Sequence, residues 1–436
     1  MATTLADSVA YTPPEEARPP AEPWHPAKRI GFRFLFAYFA LFCVTRLLGF
    51  VPIVGQLIVG GYFVLTRWAA TWSASHIVHR PAVFAPTGSG DTMIQWITFG
   101  IELTAAAIAA IVWTIVAKRT EYRRLNEWLR IGLRFTLAFI MFGYGFAKIL
   151  PNQFPAATLE RLSEPLGEFS PMGLLWTFMG YSVGYNFFTG MGEAVGGLLL
   201  CFRRTTTAGA LLLIAVLSNV VLLNYAYDVP VKLYSSIYLI MAIILVAPDA
   251  RRLIDMLVLN RPTEPRDLRM FATPRMQRAS NILRGIFVAY VVLLNFGSNV
   301  TRYRTSTNGP LPALYGIYDV QSLVKNGVQV PLVVTDASLW RRIVFSRFDR
   351  MSIRTMSDSV SRYTVKIRSG AFTATPRFDS TQTLAFTFQK PSADRLVLTG
   401  RVGSDSVVAT LNRVDESKYL LNSRGFNCVQ EQPFNR

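Results

Sequence analysis

The sequence is poor in the residues on which most cofactor and metal sites depend. Its 436 residues include only three cysteines and three histidines. It contains no C-x-x-C pair and no haem, flavin or nucleotide motif. His76 and His79 lie three residues apart, but they lack a cysteine or an acidic third ligand nearby. The sequence therefore predicts no metal site, disulfide or evident cofactor, and a quinone is the one cofactor left open.

Charged residues are scarce as well. They make up 17% of the chain, whereas 51% of the residues are hydrophobic and the mean hydropathy is +0.29. An ordinary soluble protein of this size is less apolar. Several apolar runs approach the ~20 helical residues that cross a bilayer. They predict a helical membrane bundle of seven spans, at about residues 30–51, 93–117, 131–150, 182–202, 205–224, 231–247 and 282–299.

The basic residues follow the predicted topology. The formal net charge is +18, which by itself would suggest a nucleic-acid partner. However, within residues 1–300 most basic residues fall in alternate connections, within 18–33, 118–134, 203–204 and 251–284. Basic loops stay on the cytoplasmic side. The pattern predicts the lipid bilayer as partner rather than nucleic acid, a bacterial inner-membrane location, a cytoplasmic N-terminus and an external C-terminus.

Composition divides the chain into three regions. Residues 1–27 are rich in proline, alanine and glutamate, which predicts a disordered cytoplasmic tail. Residues 28–300 form the predicted transmembrane domain, in which 52–92 reads as an interfacial or re-entrant helix at the outer face. Residues 301–436 alternate short strand-like runs with turn residues, including LYGIYDV, VPLVV, the hairpin signal VGSDS and a last run from Tyr419. These runs predict an extracytoplasmic antiparallel barrel or sandwich.

Two local signals set helix boundaries. In GSGDTMIQW, Asp91 or Thr92 is the expected N-cap of the second span, with Gln95 completing a capping box. Between the third and fourth spans, a single helix over residues 172–202 would be about 47 Å long, more than the hydrocarbon thickness. Part of 156–180 is therefore expected to lie along the outer surface as amphipathic helices.

Glu193 is the main anomaly among the predicted spans. Counted back from Arg203 at helical rise, it lies at mid-bilayer, where an ionised carboxylate costs at least ~2.5 kcal/mol. A helical wheel places Asn186, Gly190 and Gly197 on one stripe of the helix surface with Glu193. Small residues let helices approach closely, so Glu193 is expected to face protein. A second, adjacent glycine stripe of predicted helix-packing positions includes Gly184, Gly192 and Gly196.

Other polar residues gather in the outer half of the spans. They predict a cavity open to the outside, lined by Tyr144, Asn186, Ser218, Asn219, Asn224 and Asp228, with Lys148 and Lys232 as further candidates. Counted from Arg130, Lys148 lies about 12 Å above Glu193, so a direct ion pair between them is not expected. Several alternatives stay open: lysines that snorkel to headgroups, Asp228 as a cap, Asn219 as an interhelical hydrogen bond, and Glu193 as a protonated carboxyl.

The stretch RIGLRFTLAFIMFGYGFAKILP is followed after a loop by GMGEAVGGLLLCFRRTTTAGALLLI. With these two stretches, residues 130–248 resemble the DoxX-like family of bacterial multi-pass membrane proteins. The resemblance implies a four-helix core and carries over to Lys148, Glu193, Gly196 and Gly197. Some family members resemble a subunit of a thiosulfate:quinone oxidoreductase, but no settled catalytic role comes with these positions. Three further spans and the β domain set this chain apart from short members.

The C-terminal region has a second resemblance. The triplet Gly316-Ile317-Tyr318 is similar to the lipocalin G-x-W signature, with Tyr318 in place of tryptophan. Arg424 is then expected to be the closing arginine of the last strand. This resemblance implies a barrel that holds a ligand, whereas an open sandwich that binds a partner protein is the alternative.

The leading hypothesis is a membrane protein whose bundle holds an amphipathic small molecule, a quinone or a lipid, near Glu193. As an oxidoreductase it would use Glu193 as proton acceptor from a quinol, with Lys148 or Lys232 stabilising the oxyanion. The alternatives are a proton-coupled transporter and a non-catalytic assembly or stress protein. The sequence leaves open whether the protein is an enzyme.

Overall fold

Helices make up most of the chain as far as Arg302. The computed structural model describes residues 23–49, 53–85, 87–264, 274–377, 382–425 and 427–435. Apolar runs favour helices in a membrane because a helix satisfies its backbone hydrogen bonds internally. The helices are α1 (Pro26–Leu48), α2 (Val54–His76), α3 (Met93–Val116), α4 (Arg123–Ile149), α5 (Leu159–Ser163), α6 (Pro171–Tyr181), α7 (Val183–Leu200), α8 (Thr206–Ala226), α9 (Lys232–Val246), α10 (Ala250–Leu257) and α11 (Pro274–Arg302).

Six helices of the described residues are long and apolar enough to cross a membrane, which indicates a membrane protein. The predicted span 182–202 corresponds to α7, which is 18 residues long. Asn186, Glu193 and several glycines make α7 less apolar than the others, and it is not among the six. The six are α1, α3, α4, α8, α9 together with α10, and α11 together with the π-helical turn Tyr303–Thr307.

The first helices begin close to the predicted positions. Residues 1–22, most of the predicted tail, lie outside the described residues, as do 50–52 and 86. α1 begins at Pro26, two residues inside the predicted tail, because proline suits the first turn of a helix. The predicted interfacial segment contains α2, one continuous helix that packs on α3 through Ala70, Ala74 and Ile94.

The predicted capping box at the start of α3 is confirmed. Oγ1 of Thr92 accepts the Gln95 N–H at 3.4 Å, and the Gln95 side chain accepts the Thr92 N–H at 3.1 Å. Asp91 serves a different helix, because its carboxylate accepts the backbone N–H groups of Lys232 and Leu233 at 2.7 and 3.0 Å. A carboxylate at the start of α9 satisfies donors that have no partner within the helix.

The chain from Gly316 to Val414 forms a closed antiparallel β-barrel. Strands β3 to β9 pair in sequence, and β1 pairs with both β3 and β9, which closes a ring of eight strands. The short β2 pairs with the end of β1. Closure makes the sandwich alternative wrong. The strands are β1 (Gly316–Lys325), β2 (Val328–Val330), β3 (Trp340–Ser346), β4 (Arg350–Thr355), β5 (Val360–Arg368), β6 (Ala371–Pro376), β7 (Leu384–Ser392), β8 (Arg395–Val402) and β9 (Asp405–Val414).

Two strand predictions are wrong. Residues 331–334 of VPLVV lie outside the strands, and the last predicted run, from Tyr419, contains the short helix α12 (Leu420–Ser423). Strand β6 was not predicted, because its sequence AFTATP carries few large apolar residues. The hairpin predicted in VGSDS is present, with Gly403 at φ +62 in the turn between β8 and β9.

Apolar side chains at alternate strand positions fill the barrel. Tyr318 meets Phe345 edge to face, with ring centroids 6.1 Å apart, and Phe345 meets Phe372 in the same way at 5.5 Å. Phe372 stacks on Phe386 at 5.8 Å. These rings belong to one cluster of buried residues drawn from the strands. The described interior of the barrel is therefore a packed apolar core.

The contacts divide the chain into two units. Unit 1 takes in the chain up to Phe139, together with Leu199–Val221 and Pro230–Leu268. Unit 2 takes in Ile140–Leu198, Leu222–Val229 and the chain from Arg269 onward. The end of α4, helices α5 and α6, α7 as far as Leu198 and the barrel therefore belong to one unit. Within unit 2, Leu159 of α5 is buried with Ile317 of β1 and Val344 of β3.

Candidate functional site

Lys148 and Glu193 form a buried ion pair in unit 2. Nζ of Lys148 lies 2.5 and 2.6 Å from the two carboxylate oxygens of Glu193. Their side chains are 7% and 3% exposed. The expectation that the two residues do not pair is therefore wrong. As the wheel predicted, Glu193 faces protein, and a charge-assisted contact to both oxygens is the partner that a buried carboxylate needs.

Two glycines explain why the 12 Å separation of Lys148 and Glu193 expected from the sequence was wrong. A Cβ placed on Gly145 of α4 would lie 2.8 Å from the carbonyl oxygen of Gly190 on α7, and one on Gly190 would lie 2.7 Å from that of Gly145. The helix backbones touch there, so Lys148 lies level with Gly190. From that level its side chain spans the single turn to Glu193. The depth counted from Arg130 did not include this contact.

Asn186 lies four residues before Gly190, on the same face of α7, and is fully buried. Its amide nitrogen donates to the carbonyl of Phe154 at 2.9 Å, which ties the start of α7 to the segment after α4. Its Oδ1 has no hydrogen-bond partner among the described residues. Tyr144 is partly exposed, and its ring centroid lies 5.7 Å from Nζ of Lys148. Tyr144 and Asn186 are thus the predicted cavity-lining residues that share helices α4 and α7 with the ion pair.

The remaining candidates are divided between the two units. In unit 2, Asn224 is buried, whereas Asp228 is exposed with φ +51 at the turn that follows α8. Ser218 is half-buried and Asn219 is exposed, and both belong to unit 1 with Lys232, the first residue of α9. A cavity lined by this whole set stays a prediction.

The predicted helix-packing glycines also differ from one another. Gly196 and Gly197 are buried and Gly192 is half-buried. Gly184 is exposed, and a Cβ placed on it would have only Oγ of Ser182 near it, at 3.9 Å. The close contact of α7 is made instead at Gly190, which the sequence placed on the stripe of Glu193.

A cavity of about 950 Å³ lies within unit 2. It is bordered by the segment from α5 to α6, the exposed side of the α6–α7 junction and residues Lys418–Leu421 beyond the barrel. Leu174, Phe178 and Tyr185 are among its apolar walls, and Arg161 lines it while paired with Glu164 at 2.7 Å. Its size and apolar lining suit a small amphipathic molecule.

The cavity was not predicted from the sequence. None of the six residues expected to line a cavity is among its lining residues. One wall comes from residues 174–185, which were assigned partly to a surface segment and partly to a span. The other wall comes from residues after the last strand, about 240 positions later in the chain, and no local pattern connects the two.

A turn at Asp415 directly precedes Lys418–Leu421, which form one wall of the cavity. Its carboxylate accepts hydrogen bonds from Oγ and N–H of Ser417 at 2.7 and 3.0 Å. These bonds to Ser417 hold the pKa of Asp415 below its usual value. Because the folded-state pKa is lowered, the turn is stabilised above the unfolded-state pKa of about 3.9. That contribution is lost as pH falls through the folded-state pKa.

We therefore expect Ser417→Ala to raise the pKa of Asp415 towards its ordinary value, measured by NMR titration of the aspartate carboxyl carbons in the full chain. The pKa of Asp336, which is lowered by equivalent bonds from Ser338, should not move and serves as the internal control. An unchanged Asp415 titration in Ser417→Ala would contradict the assignment.

The structure corrects the arginine that the lipocalin resemblance led us to expect in the last strand. Arg424 is not in the last strand but caps the end of α12, where its guanidinium lies over the ring of Phe434 at 4.5 Å. Arg413 of β9 pairs with Tyr318 of β1 in the strand register. A Cβ on Gly316 would lie 3.2 Å from the Tyr318 ring and 3.3 Å from Nε of Arg413. The arginine beside Tyr318 is therefore Arg413.

Six apolar helices, a buried ion pair and a closed barrel define the class: a multi-helix membrane protein with a C-terminal β-barrel. Over 119 residues, 27% of this chain, it is 38% identical to the uncharacterized protein YwoB of Bacillus subtilis (strain 168), and the match covers 75% of that protein. The chain belongs to the same family as YwoB. No protein-family model matches the chain, and no solved structure matches it.

Proposed function

We propose that this chain is a DoxX-like protein of the bacterial inner membrane that binds an amphipathic molecule, a lipid or a quinone, in unit 2. In this proposal α7 also crosses the membrane, as the fourth of seven spans in chain order, and residues 130–248 contain the four-helix core. The N-terminus is cytoplasmic, as the basic loops predict. The barrel is lipocalin-like and extracytoplasmic, and its C-terminal segment covers the bound molecule.

The observation that carries the proposal is the cavity beside α6 and α7. Its volume of about 950 Å³ suits a small ligand. Leu174, Phe178 and Leu420, all large apolar residues that are more than one-third exposed, line it. Exposed apolar side chains that converge on one hollow mark a ligand site or an interface. Lys418 places positive charge at the same cavity, beside the paired Arg161 and Glu164, and its ammonium group suits a polar head group.

Lys148 and Glu193 act as positioning residues in this proposal. Tyr185 of the cavity wall precedes Glu193 by eight residues, which is about 12 Å along α7. The ion pair therefore anchors the helix that carries the wall, and it need not touch the ligand. No catalytic role is assigned to Glu193, Lys148 or Lys232.

Filling the cavity should remove the bound molecule. In Leu174→Trp/Thr177→Trp, two indole rings would occupy space between α6 and the C-terminal segment. After purification in a mild detergent, we expect this variant to contain several-fold less bound lipid or quinone than the wild type. Mass spectrometry of the extracted small molecules provides the measurement.

The matched control is Leu198→Trp on α7. Leu198 is 43% exposed and Leu174 is 42% exposed, but Leu198 does not line the cavity. Its replacement should leave retention unchanged. A wild-type protein that retains no amphipathic molecule, or a double variant that retains as much as the wild type, would refute the proposed function.

A further inference from the structure

Unit 1 contains a second group of polar side chains, which the sequence analysis did not single out. Tyr38 and Arg46 lie on α1, Tyr62 on α2, Glu102 on α3 and Tyr234 on α9. All five belong to unit 1, so this group is separate from the cavity and the ion pair of unit 2. Helices α1, α3 and α9 are among the apolar helices long enough to cross a membrane.

Tyr38 is a buried donor without an acceptor. The residue is 5% exposed, and its hydroxyl has no hydrogen-bond partner among the described residues. Its ring packs edge to face on Phe39 and Phe99, with centroids 4.9 and 6.1 Å away. Buried polar groups are nearly always hydrogen-bonded, so an orphaned hydroxyl in an apolar helix requires an explanation.

Arg46 places a positive charge one helical turn from Tyr38. Side chains on a helix point back towards its N-terminus, and Cζ of Arg46 lies 3.3 Å from the ring centroid of Phe42. Nη1 donates to the Phe42 carbonyl at 3.1 Å. The guanidinium is thus at the level of Phe42, four residues from Tyr38. No carboxylate of the described residues forms an ion pair with Arg46.

The acid of this group is already bound to another residue. The Tyr62 hydroxyl donates a short hydrogen bond to Glu102. Glu102 and Arg46 both lie close enough to act electrostatically on Tyr38, and so does Tyr234. The Tyr38 hydroxyl and the guanidinium N–H groups of Arg46 other than those of Nη1 therefore have no acceptor among the described residues.

We propose that Tyr38 and Arg46 bind the carboxylate of a long-chain fatty acid in unit 1. A carboxylate supplies two acceptor oxygens that match a guanidinium, and it would give Arg46 an ion-pair partner at contact distance, which Glu102, bound to Tyr62, does not provide. A neutral carbonyl would satisfy the hydroxyl only. The rings of Phe42 and Phe99 pack on Tyr38, so the surroundings of the bound carboxylate are apolar, as the start of an acyl chain requires.

Binding of labelled palmitate to the full chain in a non-ionic detergent tests the proposal. We expect saturable binding that the free acid displaces and palmitate methyl ester does not. Tyr38→Phe keeps the packed ring and removes only the hydroxyl, so it should weaken binding about tenfold, as loss of a hydrogen bond to a charged group predicts. Arg46→Gln should abolish saturable binding. Tyr290→Phe, at a partly exposed tyrosine of α11, should bind like the wild type.

A stability measurement distinguishes the loss of a binding group from misfolding of the variant. Without ligand, Tyr38→Phe should unfold at the same temperature as the wild type or higher, because it removes an unpaired buried hydroxyl. A lower unfolding temperature would reveal an internal partner for Tyr38 and overturn the proposal. So would unchanged palmitate binding by Tyr38→Phe, displacement by the methyl ester, or no saturable binding at all.

The same assay separates this site from the proposed function. In the Leu174→Trp/Thr177→Trp background, the binding that depends on Tyr38 should persist even where the cavity of unit 2 is filled. Loss of all palmitate binding in that background would place the carboxylate in the cavity and overturn the site in unit 1.

Discussion

Lys148→Met should destabilise the folded protein by about 3–5 kcal/mol, because it leaves the carboxylate of Glu193 buried without its partner. The two atoms of the pair are 2.5 Å apart and both side chains are nearly inaccessible. Glu193→Met should cost a similar amount by leaving the ammonium group of Lys148 unpaired. Thermal unfolding of the purified protein in detergent is the measurement.

The double variant Lys148→Met/Glu193→Met provides the sharper result. Replacing both members of a buried pair by apolar residues of similar volume is often neutral or stabilising, so much of the lost stability should return. If the pair only positions α7, the double variant should also retain the amphipathic molecule. A double variant as unstable as the two single changes combined would show that the charges do not act as a pair.

An exposed ion pair supplies the control. Arg123 and Glu121 lie 2.8 Å apart, but their side chains are 60% and 37% exposed. Exposed pairs contribute about 0–1 kcal/mol. Arg123→Met should therefore change the unfolding temperature little, which separates the effect of burial from that of removing a charge.

Gly190→Ala should also destabilise the protein, by about 1–3 kcal/mol as overpacking usually does. The added methyl group would lie 2.7 Å from the Gly145 carbonyl oxygen and 2.9 Å from the Ile149 nitrogen. Both are backbone atoms of α4, so no side chain can move aside and the helices must separate. Because Lys148 reaches Glu193 from this contact, the separation should weaken the ion pair as well.

Gly184→Ala on the same helix is the matched control. Its methyl group would have only Oγ of Ser182 within 4 Å, and alanine is favoured over glycine inside a helix by roughly 0.5–1 kcal/mol. This variant should be as stable as the wild type or slightly more stable. If Gly190→Ala unfolds at the same temperature as Gly184→Ala, the close approach of α4 and α7 is not present.

Several features could be predicted because they depend on neighbouring residues. The capping box at Thr92 needs a hydroxyl and an amide three positions apart, and the structure contains both bonds. The burial of Asn186 and Glu193 follows from the spacing of a helix. The break between α6 and α7 at Ser182 follows from the limited thickness of a bilayer.

Other features could not be predicted because they depend on residues far apart in the chain. The partner of Glu193 is 45 positions away, and it was rejected because helix depth had been counted from basic residues. Lys148 follows Gly145 by three residues, and Glu193 follows Gly190 by three residues. This equal spacing could have indicated that the two charged residues meet where the two glycines touch. The arginine beside Tyr318 was likewise misassigned, because register places Arg413 there and not Arg424.

The sequence by itself determined the apolar helices, the alternating strands and the presence of one shielded acid, because run length, periodicity and local capping set these features. The tertiary structure alone decided that Lys148 neutralises this acid, that β1 and β9 close the barrel, and that the C-terminal segment forms a wall of the cavity. Each of these depends on the distance between two surfaces. In this chain two glycines set the distance between α4 and α7, and the strand register places β1 beside β9.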